Sequence, residues 1–366
     1  MDMEKISELK SILVNNLNWN KARLDCFVRM LLALFAVRTV NLSEIAVGFA
    51  SRAQVSSRYK RLRRFFNLFK INYCVIAKLI FGLFFSSGSK VYLTIDRTNW
   101  FWGKSKINIL TLGIAYEGAS IPILWNMLDK AGNATAAEHQ AIIERFISIF
   151  GKDCIAGILA DREFASGHLF NWFNNENVPF YIRIKEGCVL KIKDKKFNIA
   201  QKIFNHLNPK EQAIFAMNVT LFGANVYLAG SRSERGDLMI VATNRSPKNA
   251  IACYLRRWEI ETLFSCLKGR GFRFEDTRLT QLDRIEKLMA LLTIGFCWAH
   301  KTGEWRATIK PIVFNKYKDS LRPQNSFFRY GFDFIREIIL SPFKQIDAFK
   351  ESLKAFISTP IRENIL

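Results

Sequence analysis

The chain has 366 residues, of which 49% are hydrophobic and 32 are phenylalanine. This length supports two or three domains with buried cores, and the composition excludes a disordered protein. Lysine and arginine number 54 against 32 aspartate and glutamate, a formal net charge of +22, which is typical of proteins that bind nucleic acid and, less often, an anionic membrane surface.

The apolar runs at residues 26–37, 73–85 and 288–299 are all shorter than a membrane span, and the N-terminus lacks the pattern of an export signal. The seven cysteines are scattered and form no CxxC pair, so a zinc site is not indicated and the thiols are expected to be reduced. We therefore predict a cytoplasmic protein with no membrane partner.

Residues 1–85 are predicted to form a helical domain, because apolar residues recur every three or four positions. From Arg52 to Lys70, both included, the sequence has seven basic residues and no acidic one. A short helix, a turn and this basic helix have the outline of a helix-turn-helix, so we expect Arg61, Arg63 and Arg64 to contact DNA phosphates. The alternative is a solvated basic helix packed on the core.

From residue 91 the pattern changes to strands at 91–95, 107–116 and 121–125, a helix at 134–150, a strand at 155–160, a helix at 167–175 and a strand at 179–184. This is the element order of a ribonuclease H-like α/β core, in which the first and fourth strands are neighbours. Asp96 and Asp161 follow those two strands, and paired carboxylates at one sheet edge suit a hard cation such as Mg²⁺. A single aspartate of this kind would more simply be a turn residue.

Further strands at 189–192, 214–221, 224–229 and 238–242 indicate a β-rich insertion, followed by one long helix at 249–268. We predict an α/β protein in four parts, and the boundaries are as follows: a helical DNA-binding domain at 1–85, a ribonuclease H-like core at 86–187 and 246–302, the insertion at 188–245, and a helical C-terminal region at 303–366.

On a continuous helix, Tyr254, Arg257, Glu261 and Lys268 fall on one stripe about 60° wide. A surface salt bridge between Arg257 and Glu261 would explain two of them alone. Together with Asp96 and Asp161, however, the stripe supplies a third carboxylate flanked by phosphate-binding groups.

The spacing of Tyr254, Arg257, Glu261 and Lys268, written Y-(2)-R-(3)-E-(6)-K, resembles the signature of the IS4-type DDE transposases, the group that includes the Tn5 transposase. The segments that begin at Asp96 and Asp161 resemble the same family's acidic motifs. The resemblance implies a catalytic triad of Asp96, Asp161 and Glu261 that holds two Mg²⁺ ions, for which Mn²⁺ can substitute. It also implies that Tyr254, Arg257 and Lys268 bind transposon-end phosphates and that Arg183 is a DNA-binding arginine near the active site. Thr98 and Arg162 are weaker candidates for residues at the site.

The same resemblance implies an enzyme that cuts at transposon-end inverted repeats and joins the 3′-hydroxyl to target DNA, working as a homodimer on paired ends in the bacterial nucleoid. Two other hypotheses remain: a ribonuclease H-like nuclease without strand transfer, and an inactive repressor that binds transposon ends. Better-known members carry a tryptophan in the last insertion strand that stacks on a flipped base during DNA hairpin formation. Leu238 or Met239 stands here instead, so either no hairpin forms or Phe222 or Tyr227 provides the stack.

Overall fold

The computed structural model describes residues 3–192, 195–197, 199–317, 320–341 and 345–358. The chain divides into two compact units. One consists of Met1–Ser87, Asn99–Asn108 and Leu263–Leu366, and the other of Gly88–Thr98 and Ile109–Thr262. Among the described residues no single helix is long and apolar enough to cross a membrane, although two sharply bent helix pairs meet that length and composition when each pair is taken together.

The N-terminal segment is helical, as predicted. Its helices are α1 (Met3–Asn16), α2 (Lys21–Val37), α3 (Leu42–Gly48), α4 (Val55–Leu68) and α5 (Tyr73–Phe84). Helix α4 buries Leu62, Phe65 and Phe66 and leaves most of its basic residues exposed. Its amphipathic pattern therefore fixes which face packs and which face meets solvent.

The central part of the chain forms a mixed sheet with helices. Its elements are β1 (Val91–Trp102), β2 (Ser105–Tyr116), β3 (Ala119–Met127), α6 (Ala136–Phe150), β4 (Ile155–Ala160), α7 (Gly167–Asn175), β5 (Phe180–Ile184), β6 (Leu190–Ile192), β7 (Lys195–Phe197), α8 (Gln201–Phe204), β8 (Gln212–Leu221), β9 (Ala224–Arg232), β10 (Leu238–Thr243), α9 (Ala250–Leu255) and α10 (Trp258–Leu267). Strand β4 is almost wholly buried and continuously apolar, as is typical of a central parallel strand.

Within the described residues the sheet has ten strands in the order β3-β2-β1-β4-β5-β10-β9-β8-β6-β7. Strand β4 is parallel to β1 and β5, and β3 is antiparallel to β2. The first five strands therefore have the order expected of the predicted core. The insertion does not build a sheet of its own, because β10 pairs antiparallel with β5 and continues the same sheet.

The C-terminal part contains α11 (Leu282–Ile309), β11 (Phe314–Tyr317), β12 (Ser320–Pro323), α12 (Phe327–Leu340) and α13 (Ile346–Ile357). The region predicted to be helical thus also holds a two-stranded hairpin. Two lysines of α11 are buried: the ammonium of Lys287 donates to the carbonyl of Phe66 at 2.7 Å, and that of Lys301 donates to the carbonyl of Leu83 at 2.7 Å. These two lysines therefore serve packing, so part of the positive charge is not available to a ligand.

Candidate active site

Asp96 and Asp161 lie at the same level on neighbouring strands. The parallel pairing of β1 with β4 ends at Ile95 opposite Ala160, so the two aspartates are the next residue on each chain segment. The expectation that the first strand ends at Asp96 is wrong, because β1 continues to Trp102 and forms a hairpin with β2. The convergence of the two carboxylates does not depend on where β1 ends, since it follows from the register of β1 with β4.

Each aspartate is oriented by the backbone that follows it. Oδ1 of Asp96 accepts the N–H of Arg97 at 2.7 Å, and Oδ1 of Asp161 accepts the N–H of Arg162 at 2.7 Å. Burial raises the pKa of Asp96 to about 6, against the opposing effects of the Arg97 N–H and the Arg257 guanidinium. A cation beside Asp96 would therefore favour its ionised form.

The helix predicted at 249–268 is broken, which corrects the expectation of one continuous stripe. Between α9 and α10 the N–H of Arg257 bonds the carbonyl of Tyr254 at 2.9 Å, and the N–H of Glu259 bonds that of Arg256 at 3.0 Å. These are 3₁₀-type bonds, which tighten the chain between two helices. The guanidinium of Arg256 also donates to the carbonyl of Ala115 at 3.0 Å, so a contact with the sheet holds the break.

The break directs Tyr254 and Arg257 to the carboxylates. Nη2 of Arg257 lies 2.8 Å from Oε1 of Glu261, and Nη1 lies 3.6 Å from Oδ2 of Asp96. The hydroxyl of Tyr254 donates to Oδ1 of Asp161 at 3.4 Å. Tyr254 and Arg257 are buried, whereas the side chain of Glu261 is 39% exposed. The three predicted catalytic carboxylates are thus connected through two residues of the same signature.

The three carboxylates suit a hard divalent cation as oxygen ligands. Asp96 lies on β1, Asp161 directly follows β4, and Glu261 lies in the first turn of α10. Among the described residues, however, no three aspartate, glutamate, histidine or cysteine side chains are grouped closely enough to hold an ion as they stand. Arg257 engages two of the three carboxylates. The chemistry therefore fits such an ion, and binding it would require Arg257 to release Asp96 and Glu261.

A family model described as "Transposase DDE domain" matches residues 88–298, which is more than half of the chain. The chain belongs to this family. It is a DNA transposase, and its matched segment contains Asp96, Asp161 and Glu261. No curated protein sequence matches the chain. A cryo-EM structure of a piggyBac transposase synaptic complex with hairpin DNA is similar at a TM-score of 0.47 and 10% identity, covering 98% of this chain and 84% of that one.

Two further residues of the transposase that were predicted to bind DNA, Lys268 and Arg183, have different surroundings. Nζ of Lys268 lies 2.8 Å from Oε1 of Glu275 and 5.3 Å from the ring centre of Trp100. Arg183 lies on β5 opposite Val241 of β10. Burial raises the pKa of Tyr254, and the charge of Arg183 opposes that rise, so Arg183 lies close enough to Tyr254 to affect it.

The three arginines predicted in the basic helix differ in their surroundings. Nη2 of Arg61 lies 2.9 Å from Oδ2 of Asp25 on α2, and its guanidinium lies 5.6 Å from the ring centre of Phe49. Arg63 and Arg64 are exposed. Arg61 therefore fastens α4 to α2, while Arg63 and Arg64 face solvent.

A groove of about 1260 Å³ beside Asp161 was not predicted from the sequence of the transposase. Arg162, Lys185 and Lys191 line it, together with Phe222 in the turn between β8 and β9. Phe222 is 44% exposed and has a φ of 52°, an uncommon value for a residue other than glycine. Gly223 could have predicted a turn at this point, but it does not predict the positive φ of Phe222. The groove itself depends on strand pairing over long sequence distances.

Leu238 and Met239, one of which stands where the IS4-type resemblance places a tryptophan, do not form a stacking surface. Leu238 is 2% exposed, and Met239 packs against the buried cluster that contains Tyr254. Of the two aromatic alternatives, Phe222 lines the groove, and Tyr227 lies in β9 opposite Thr243.

Proposed function

We propose that this transposase cuts DNA at transposon ends and joins the freed 3′-hydroxyl to target DNA, with Asp96, Asp161 and Glu261 as its catalytic carboxylates. The observation that carries the proposal is the convergence of these groups: Asp96 and Asp161 follow paired residues of two parallel strands, and Arg257 bonds Glu261 while it contacts Asp96. Carboxylates fixed on rigid elements in this way suit metal-assisted phosphoryl transfer.

The metal proposed for this site is Mg²⁺, or Mn²⁺ in its place, with two ions per active site, and Asp96, Asp161 and Glu261 are the residues that would hold them. Bound there, the two ions would activate the attacking oxygen and stabilise the leaving oxyanion. The protein orients the carboxylates beforehand, because the N–H groups of Arg97 and Arg162 each hold one oxygen of the preceding aspartate. The hydroxyl of Tyr254 adds a second contact to Asp161.

Phosphates of the transposon end are proposed to bind Tyr254, Arg257, Lys268 and Arg183, an assignment that the IS4-type spacing supports. Arg257 suits this role because a guanidinium binds phosphate and carboxylate with the same planar fork. Metal held by the carboxylates would neutralise their charge, and Arg257 would then be available to a DNA phosphate.

The helical N-terminal segment is proposed to bind the inverted repeat, with Arg63 and Arg64 on phosphates and Arg61 placed chiefly to fasten α4. The exposed basic face of α4 and the absence of acidic residues from Arg52 to Lys70 support this assignment. Assembly as a homodimer on paired ends in the nucleoid remains part of the same proposal.

The experiment uses DNA that bears the inverted repeats found beside the gene, with Mg²⁺ or Mn²⁺. We expect D96N, D161N and E261Q each to abolish nicking and strand transfer while changing end binding by less than about threefold. Glu144→Gln is the control, since Glu144 is exposed on α6 and accepts a hydrogen bond from the side chain of Gln140 at 2.7 Å.

Each possible failure has a distinct meaning. Substantial nicking by any of the three variants would contradict the catalytic assignment. Nicking by the unaltered protein without joining would favour a ribonuclease H-like nuclease. Binding of the ends without any cleavage would favour a repressor.

A further inference from the structure

The two acidic motifs of the transposase each carry a second charged residue of opposite sign. Arg97 follows Asp96 directly, and Glu163 stands two residues after Asp161. In sequence they are 66 residues apart, but in the structure they form a two-point ion pair. Nε of Arg97 donates to Oε1 of Glu163 at 3.1 Å, and Nη2 donates to Oε2 at 3.0 Å.

This pair is well shielded from solvent and has further contacts. The side chains of Arg97 and Glu163 are 12% and 23% exposed. Arg97 also donates from Nη1 to the carbonyl of Gly132 at 2.8 Å and from Nη2 to Oδ1 of Asn133 at 2.7 Å. One guanidinium thus joins strand β1, the segment before α6 and the turn after β4.

The pair lies where the sheet stops holding the two motifs together. Backbone pairing between β1 and β4 ends at Ile95 and Ala160, so beyond that level side chains must fix the separation of the two segments. The N–H of Arg97 holds Oδ1 of Asp96, while its side chain holds Glu163. A displacement of Glu163 would therefore be passed through Arg97 to the carboxylate of Asp96.

We propose that Arg97 and Glu163 are a positioning pair that sets the distance and orientation of Asp96 relative to Asp161 for metal binding. The proposal rests on the proposed function of those two aspartates. Neither member needs to touch metal or DNA, since both act through the backbone beside an aspartate. A two-point pair of this kind requires a planar guanidinium, which lysine cannot replace.

The test measures Mn²⁺ binding directly, from the electron paramagnetic resonance signal of free Mn²⁺ titrated with the DNA-free protein. We expect Glu163→Gln and Arg97→Lys to weaken Mn²⁺ binding by roughly 10–100-fold, the usual effect of losing a group that orients a metal ligand. The Mn²⁺ concentration that gives half-maximal nicking should rise in parallel. Binding of end DNA without metal should change by less than about threefold.

The control is Glu138→Gln, which makes the same chemical change in a neighbouring ion pair. Oε2 of Glu138 lies 2.6 Å from Nζ of Lys130, and both side chains are about one-third exposed. We expect this variant to keep the Mn²⁺ affinity of the unaltered protein. The double variant Arg97→Glu/Glu163→Arg restores the ion pair with the two charges exchanged. It should recover at least part of the Mn²⁺ affinity lost in R97E, and it tests the proposal even if a single variant does not fold.

The outcomes separate this proposal from the proposed function. If D96N leaves Mn²⁺ binding unchanged, the carboxylates are not the metal site and the proposed function fails. If D96N abolishes binding while Glu163→Gln and Arg97→Lys bind Mn²⁺ as the unaltered protein does, only the positioning pair is wrong. If Glu163→Gln and Arg97→Lys lose thermal stability but the folded protein keeps its Mn²⁺ affinity, the pair only stabilises the fold and the proposal is overturned.

Discussion

Nη2 of Arg257 lies 2.8 Å from Oε1 of Glu261, and the same guanidinium reaches Asp96 at 3.6 Å. Arg257 is 5% exposed, and a charge this buried needs carboxylates such as these to balance it. A residue of the signature thus neutralises two of the groups that the proposed function assigns to metal, and metal and guanidinium compete for the same oxygens.

The first prediction follows from that competition. Replacing Arg257 by methionine removes the guanidinium and leaves Asp96 and Glu261 without their partner, so we expect the metal-free protein to melt at a lower temperature. Added Mn²⁺ should then raise the melting temperature by more than it does in the unaltered protein. Differential scanning fluorimetry with and without Mn²⁺ measures both shifts, and Arg257→Lys is the control that keeps a charge. An equal Mn²⁺-dependent shift in all three proteins would show that Arg257 does not compete with metal.

The second prediction concerns the basic helix α4. Replacing Arg63 and Arg64 by alanine should weaken end binding and reduce the salt dependence of binding by roughly one unit of slope per lost phosphate contact. Replacing Arg61 should instead lower thermal stability, because its guanidinium is paired with Asp25 at 2.9 Å. Fluorescence anisotropy over a range of salt concentrations distinguishes the two cases. An unchanged salt-dependence slope in the Arg63/Arg64 variant would support the alternative that α4 is a solvated helix that does not contact DNA.

The third prediction concerns Phe222 at the groove. If a DNA hairpin forms, an unpaired base needs an aromatic partner, and such stacking contributes about 1–3 kcal/mol. We expect Phe222→Ala to reduce hairpin formation, because Phe222 is 44% exposed and lines the groove, whereas Tyr227→Ala should have a smaller effect. A denaturing gel of cleaved ends provides the measurement. Efficient hairpin formation that neither substitution affects would show that no aromatic stack is required.

The fourth prediction concerns His139 on α6. Burial lowers the pKa of His139 to about 4, although the charges of Glu163 and Glu138 oppose the shift. The unfolded chain binds a proton near pH 6.5, so protonation favours unfolding, and the contribution of neutral His139 to stability is lost as the pH falls from about 6.5 towards 4. Between pH 7 and pH 5 we expect the contribution of His139 alone to lower the free energy of unfolding by about 2 kcal/mol.

Urea unfolding at the two pH values checks this expectation. His139→Leu should remove that part of the pH dependence, while His168→Leu should keep it, because His168 is exposed and bonds Gln140 at the surface. The same pH dependence in the unaltered protein and in His139→Leu would contradict the assignment.

Much of the fold could be predicted because its signals are local. Strand β4 and helix α7 have the predicted bounds, since a continuous apolar run defines the strand and Ser166 caps the helix by accepting the N–H of Leu169. The order of β1, β4 and β5 followed from the element sequence, and it correctly brought Asp96 and Asp161 to adjacent strands.

The features that the sequence predicted wrongly or did not reveal depend on contacts between residues that are distant in sequence. Apolar periodicity continues through Arg256 and Arg257, so it does not reveal the break that the bond from Arg256 to Ala115 holds in place. The extension of β1 past Asp96 depends on its pairing with β2. The Arg97–Glu163 pair joins residues 66 positions apart, and no spacing rule connects them.

The sheet is continuous from β5 into β10, and this ties the groove to the strand that precedes Asp161. Strand β5 pairs with β4, which leads into Asp161, and β10 joins β5 to the strands that carry Phe222. Backbone pairing therefore continues from the strand before Asp161 to the two strands that flank the turn at Phe222. A nucleotide held against Phe222 would therefore stay at a fixed distance from Asp161.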